Sequence, residues 1–131
     1  MNEKYMICDD GIRNERADGE TVGYSFLVRI PYYRGIPLSL VEIPEVRVDD
    51  AVVPPEQIRF TTSCGYAFTL DEMTTVTAYR WEYGEKAKVT VLQDGGLAEG
   101  RHHVEIQIAT RISYQIPGAY SYAWADLDVV S

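Results

Sequence analysis

Residues 21–30, TVGYSFLVRI, decide the fold because apolar side chains occupy every second position. The apolar positions are Val22, Tyr24, Phe26, Val28 and Ile30. Ser25 and Arg29 fall between them, on the opposite side. Successive side chains of a β-strand point to opposite faces, so this period of two predicts a strand with one face buried.

Two further stretches repeat the alternation. In residues 101–112, RHHVEIQIATRI, the positions predicted to face inward are Val104, Ile106, Ile108 and Ile112. The positions predicted to face outward are Arg101, His103, Glu105, Gln107 and Arg111. In residues 86–93, KAKVTVLQ, the inward set is Ala87, Val89 and Val91. The chain therefore contains at least three strands that each bury one face.

Weaker strand patterns fill most of the remaining chain. They cover residues 4–8, 45–48, 57–61, 66–70, 79–82 and 125–130, with Gly, Asp and Pro turns between them. A helix is predicted only as a single turn at residues 71–74, and no linker or repeat interrupts the pattern. We therefore predict an all-β fold: one antiparallel two-sheet β-sandwich domain over residues 1–131, immunoglobulin-like or jelly-roll.

The turn before the longest strand supports a sandwich. Leu97 and Gly100 form a Leu–x–x–Gly turn that leads directly into residues 101–112. In immunoglobulin-like sandwiches such a Leu packs beneath the turn, and the Gly supplies backbone freedom. This motif predicts fold and carries no functional information.

Charge and composition exclude several functions. The chain has 20 acidic and 12 basic residues, a net charge of −8, which disfavours nucleic acids and anionic membranes. The first 15 residues lack the apolar segment of a signal peptide, and no apolar run is long enough to span a bilayer. We expect a cytoplasmic protein in which Cys8 and Cys64 stay reduced.

The two histidines are the first candidates for catalytic residues. His102 and His103 are adjacent, so a strand would direct them to opposite faces, and they cannot chelate one metal together. His103 with Glu105 could form a general base, but an exposed ion pair accounts for the same pattern. Paired acidic residues such as Asp49 and Asp50 lie in turns, where Asp forms local hydrogen bonds. We therefore predict no catalytic residue and no metal ligand in this chain.

Two aromatic stretches are better candidates for binding. Residues 29–39, RIPYYRGIPLS, place two tyrosines and an arginine between prolines. Proline cannot donate to a sheet, so a stiff loop is predicted here, and Tyr and Arg on such a loop favour a protein interface. Residues 114–124, YQIPGAYSYAW, are a second, weaker candidate. For both stretches, simple packing of loops over the sandwich end remains the alternative.

The same stretches resemble a known family. In order they are KYMICDDGIRN, RIPYYRGIPLSLVE, FTLDEM, YRWEYGEKAKVTVL and GGLAEGRHHVEI, spanning residues 4–114. This arrangement resembles the beta subunit of bacterial C-glycoside deglycosidases, with RIPYYRGIPLS as its most specific part. The resemblance does not extend to a role for the residues after Tyr114.

The resemblance implies a two-subunit carbon–carbon lyase. A TIM-barrel alpha subunit would carry a divalent metal, usually Mn²⁺, and the catalytic base. The substrate would be a 3-oxo-C-glycoside with a phenolic aglycone such as a flavonoid, cleaved by elimination. This chain would bind no cofactor itself, and Tyr32, Tyr33, Arg34 and Pro37 would contact the alpha subunit near the mouth of its active site.

Two other functions fit an all-β domain. A carbohydrate-binding module would use exposed aromatic side chains to stack on sugars, but such modules are usually exported or joined to a glycosidase. An independent small enzyme is the other alternative, for which the sequence offers no residues.

Overall fold

The computed structural model describes residues 5–30, 35–63, 65–110 and 121–130. Over these residues the strands are β1 (Ile12–Ala17), β2 (Glu20–Val28), β3 (Ile36–Pro37), β4 (Val41–Val48), β5 (Ala51–Val52), β6 (Ile58–Thr61), β7 (Ala67–Thr69), β8 (Arg80–Trp81), β9 (Ala87–Leu92), β10 (Arg101–Thr110) and β11 (Ser121–Val130). One helical turn, α1 (Leu70–Met73), follows β7. No helix in these ranges has the length and apolarity needed to cross a bilayer.

The strands form one large curled sheet and one small sheet. The order in the large sheet is β5-β4-β10-β11-β1-β2-β9-β6-β7, and β3 pairs with β8 in the small one. The all-β sandwich-like fold is thus confirmed. The two predicted layers are halves of a single sheet, because β1 and β11 pair through Ile12↔Val129 and Arg13↔Val130. That contact is parallel, whereas the other named strand pairs are antiparallel.

The core lies between the two halves of the large sheet. Most of the predicted inward side chains are buried in one cluster: Tyr24, Phe26, Val28, Ile30, Ala87, Val89, Val91, Val104, Ile106 and Ile108. Val22 is only partly buried, and Ile112 lies outside the described residues. Ser25 lies on the outer side as predicted but is nevertheless buried, and it donates a hydrogen bond to Glu15 of the adjacent β1 at 2.7 Å.

Strand β1 was not predicted. Its sequence, IRNERA, contains one large apolar residue, Ile12, so it shows no alternation. Backbone pairing on both sides and the side chain of Asn14 hold it in place. The Asn14 amide donates to the Leu97 carbonyl at 3.0 Å and accepts from the Leu97 N–H at 2.9 Å. Conversely, where a strand was predicted at residues 4–8, the described residues 5–8 form a single bridge between Ile7 and Val28.

The Leu97–Gly100 turn forms as predicted. Leu97 packs against the core, and Gly100 has a φ of 122°, a conformation that favours glycine. The helical turn predicted at residues 71–74 is also present, one residue earlier. Its capping box joins Thr69 and Glu72, so this carboxylate is used in a local hydrogen bond.

The two histidines lie on opposite sides of β10, and each contacts a carboxylate. His102 Nδ1 is 2.6 Å from Asp49 Oδ2, and its Nε2 is 2.8 Å from the Ala98 carbonyl oxygen. Both partners are acceptors, so both nitrogens must carry protons to satisfy them. His103 Nδ1 is 2.8 Å from Asp126, while its Nε2 is 3.8 Å from Glu105. The ion-pair interpretation therefore holds, with Asp126 as the main partner of His103.

We expect replacement of Asn14 by Ala to destabilise the protein. The variant leaves the partly buried Leu97 N–H and carbonyl without their shared partner, which costs about 1 kcal/mol for each, the lower end of the range for buried groups. Urea unfolding of Asn14→Ala and Asn14→Asp would measure the loss, since Asp retains only the acceptor. A wild-type midpoint for Asn14→Ala would contradict this role.

We also expect stability to fall as the pH rises above about 6.5, the ordinary pKa of histidine. The pKa of His102 is raised, first because it hydrogen-bonds to Asp49 and then because it donates to the Ala98 carbonyl. Its protonated form therefore stabilises the fold fully below the unfolded pKa, and this contribution is lost as pH rises through the higher folded pKa. Unfolding free energies at pH 6 to 9 should decline less in His102→Gln than in wild type; equal slopes would refute the assignment.

Candidate partner-binding site

A surface cleft lies where β2 ends. Its volume is about 430 Å³, and its described lining residues are Tyr5, Met6, Arg29, Ile30, Tyr83, Gly84 and Ser121. Tyr5 and Tyr83 are 86% and 69% exposed, the highest values among the large apolar side chains that are described as exposed. Exposed tyrosines beside an arginine are typical of residues that dominate protein interfaces.

The wall with Tyr5 and Arg29 is fixed by backbone contacts. The Arg29 N–H donates to the Met6 carbonyl at 2.7 Å, and the Cys8 N–H donates to the Leu27 carbonyl at 2.9 Å. The Arg29 guanidinium also reaches the Tyr5 carbonyl, at 3.4 Å. The segment before β1 is thereby attached alongside the end of β2, with the Tyr5 side chain left in solvent.

The opposite wall is a tight turn after β8. Gly84 has a φ of 81°, and the Glu85 N–H donates to the Glu82 carbonyl at 3.0 Å. Trp81, fully buried, donates its indole N–H to the Glu85 carbonyl at 2.9 Å and meets the ring of Phe60 edge-on. This buried anchor holds the turn, so Tyr83 is presented on a rigid support.

Three of the four residues predicted to contact a partner, Tyr32, Tyr33 and Arg34, lie outside the described residues. Pro37 is described: it is half-buried in β3, opposite Arg80 of β8. Arg80 also donates to the Gly35 carbonyl at 2.8 Å. The two described ends of the loop are thus near the cleft: Ile30 lines it, and Gly35 is attached to the strand that carries the Tyr83 turn. The contact role of these four residues stays a prediction.

Tyr5 and Tyr83 were missed by the sequence reasoning. Tyr5 lies in the weak strand pattern of residues 4–8, and Tyr83 alternates with Tyr79 and Trp81, but the alternation does not show that both tyrosines are exposed at one cleft. Both lie within segments that carry the family resemblance, KYMICDDGIRN and YRWEYGEKAKVTVL. The presence of aromatic residues in those two segments was the signal in the sequence that could have marked Tyr5 and Tyr83 as binding residues.

The second aromatic stretch is only partly described, because residues 114–120 lie outside the described ranges. Its continuation begins β11, where Ser121 lines the cleft and Tyr122 and Trp124 follow along the strand. The Tyr122 hydroxyl donates to Glu105, and the Trp124 ring lies 5.4 Å from that of His103. Both predicted aromatic stretches therefore border the same cleft.

A metal site needs several His, Cys, Asp or Glu side chains directed at one point. Within residues 5–30, 35–63, 65–110 and 121–130, no three His, Cys, Asp or Glu side chains are placed to hold one ion. The donor set that a catalytic divalent ion needs does not fit this part of the chain. The absence of a metal from this chain stays a prediction.

Sequence comparison identifies relatives over most of the chain. A family model described as "C-glycoside deglycosidase beta subunit" matches residues 2–114. A C-glycoside deglycosidase beta subunit of Eubacterium cellulosolvens is 34% identical over 88% of this chain and 78% of its own length. A 3'-dehydrocarminate deglycosidase beta subunit of a Microbacterium species is 33% identical over 87% and 80%, respectively. The chain belongs to the family of C-glycoside deglycosidase beta subunits.

Proposed function

We propose that this chain is the accessory subunit of a two-subunit carbon–carbon lyase that cleaves 3-oxo-C-glycosides. One observation supports its role as a binding subunit most directly. Three separate family segments meet at the cleft and contribute Tyr5, Arg29 and Tyr83 to its rim. A subunit whose family segments converge on an exposed aromatic surface is suited to hold a partner.

The proposed reaction explains why the sugar must be oxidised first. A C-glycosidic bond has no leaving oxygen to protonate, so acid-assisted hydrolysis fails. A ketone at C3 acidifies the proton on C2. A base removes that proton, its electron pair forms the C1=C2 bond, and the C1–aryl bond breaks as the aglycone carbon takes up a proton. The name of the Microbacterium relative, a 3'-dehydrocarminate deglycosidase beta subunit, supports an oxidised substrate.

We assign the chemistry to a TIM-barrel alpha subunit. When bound there, a divalent ion such as Mn²⁺ polarises the C3 ketone and stabilises the developing negative charge. The misfit between the described side chains and a metal site supports this division. This chain would supply the interface, through Tyr32, Tyr33, Arg34 and Pro37 beside the cleft, near the mouth of the active site.

A cytoplasmic enzyme is part of the proposal. Cys8 is a free, buried thiol, which suits a reducing compartment.

The proposed interface predicts loss of assembly in the double variant Tyr33→Ala, Arg34→Ala. Removing an aromatic and an arginine hot spot should weaken binding at least tenfold, about 1.4 kcal/mol. Co-purification with a tagged cognate alpha subunit measures it. The matched control is Arg13→Ala with Leu92→Ala, exposed side chains on the outer surface of β1 and β9. Unchanged co-purification of the loop variant would reject the interface.

Metal removal should separate the roles of the two subunits. Chelation of the assembled enzyme should abolish C–C cleavage, and Mn²⁺ should restore it. The urea unfolding midpoint of this chain alone should be the same with and without chelator. A chelator-induced drop in that midpoint would place a metal in this chain and contradict the assignment.

A further inference from the structure

A second surface of the molecule has the composition of an interface. It is the outer side of β5, β4, β10 and β11, here called the Trp124 face. Residues paired across strands point to the same side of a sheet. The pairs Val52↔Arg47, Arg47↔Glu105 and Glu105↔Trp124 therefore form one row across four strands. Both ends of this row are large apolar side chains: Val52 is 53% exposed and Trp124 is 41% exposed.

The aromatic side chains of this face are held in place. Trp124 packs on the His103 ring at 5.4 Å with a 34° tilt, and His103 is fixed by Asp126 at 2.8 Å. Tyr122, two residues along β11, donates its hydroxyl to Glu105. Ordered aromatic side chains lose little conformational freedom on binding, which favours them as anchors.

The charges of the Trp124 face are paired with one another. Arg47 binds Glu45 at 2.8 Å, Arg101 lies 3.5 Å from Asp128, and His103 contacts Asp126. Its outward charged side chains are three cations, Arg47, Arg101 and protonated His103, and five carboxylates, Glu42, Glu45, Glu105, Asp126 and Asp128, so the net charge of the face is about −2. When the face is buried, Glu45, Asp126 and Asp128 each keep a cationic partner and Glu105 keeps the Tyr122 hydroxyl, so these carboxylates avoid the cost of burial without a partner.

The Trp124 face is continuous with the cleft. Ser121 lines the cleft and is the first residue of β11, and Tyr122 and Trp124 follow it along the same strand. The outer side of the other half of the sheet differs: at β2 and β9 its described side chains include Ser25, Lys88, Thr90 and Leu92, without an aromatic ring. At these two strands the described side chains of the other outer face do not extend the aromatic surface that begins at the cleft, whereas those of the Trp124 face do.

We propose that the alpha subunit docks on the Trp124 face, so that its contact runs from the cleft along β11 to Trp124. This inference rests on the proposed function, because it takes the occupant to be the alpha subunit. In this interface Trp124 is the main contact residue, Tyr122 and Arg47 contact the alpha subunit beside it, and Val52 is the contact at the opposite end of the row.

Substitution by lysine tests the docking face. Trp124→Lys should weaken binding of the cognate alpha subunit at least tenfold in titration calorimetry. Leu92→Lys is the matched control: Leu92 is 37% exposed, lies near the end of a strand on the other outer face, and should change the dissociation constant less than twofold. Both variants are compared with wild type by thermal unfolding first.

Fluorine NMR gives a second measurement that needs no substitution in the interface. The chain has two tryptophans, and Trp81 is fully buried whereas Trp124 is partly exposed. With 5-fluorotryptophan incorporated, the Trp124 resonance should show an H₂O/D₂O solvent shift that disappears when unlabelled alpha subunit is added. The Trp81 resonance should keep its position and serve as the internal reference.

The outcomes separate this inference from the function on which it rests. If wild type does not bind the alpha subunit, the proposed function fails. Suppose that wild type binds the alpha subunit and that the Tyr33→Ala, Arg34→Ala variant binds it more weakly. If Trp124→Lys then binds with wild-type affinity and the Trp124 resonance does not change, the proposed docking face is wrong and the proposed function stands. The same conclusion follows if the Trp124 resonance responds instead to a second copy of this chain, or to a C-glycoside alone.

Discussion

The short parallel contact between β1 and β11 is the constraint on which the architecture depends. Two residue pairs, Ile12↔Val129 and Arg13↔Val130, join the four-stranded half to the five-stranded half. The halves then face each other and bury one cluster that includes Tyr24, Phe26, Ile106 and Ile108. Because β1 has few apolar side chains, this junction is held mainly by backbone hydrogen bonds and by the Asn14 bridge to Leu97.

The position of the candidate site follows from that arrangement. β2 leads from the junction to the cleft, and β11 begins at the cleft and returns to the junction. Tyr5 is attached beside β2, and Tyr83 is attached to the buried Trp81. The cleft and the Trp124 face are therefore presented by strands of the rigid sandwich, although aromatic loops adjoin them. Preorganised surfaces of this kind lose less entropy when a partner binds.

The sequence predicted β2, β9 and β10 well, because burying one face forces a period of two on them. It predicted only residues 45–48 of β4 and 125–130 of β11. It failed at β1, whose stability comes from backbone pairing and from Asn14, neither of which leaves an apolar pattern. Two separate sheets were predicted for the same reason. The two-residue backbone contact between β1 and β11, which joins the halves into one sheet, produces no pattern in the side chains. The loop that contains Pro37 was found from its composition, whereas Tyr5 and Tyr83 needed the fold to bring them together. Ser25 faces outward as predicted, but its burial could not be predicted because only the structure places Glu15 next to it.

The β1–β11 contact also has a consequence for biosynthesis. Ile12 and Val129 are far apart in the chain, so β1 pairs with β2 early while its other edge waits for residues 121–130 to leave the ribosome. Unpaired strand edges invite association between nascent chains, and charged side chains suppress it. Arg13, Glu15 and Arg16 supply such charges. The polar composition that leaves β1 without an apolar pattern thus protects an edge that stays open until residues 121–130 have been synthesised.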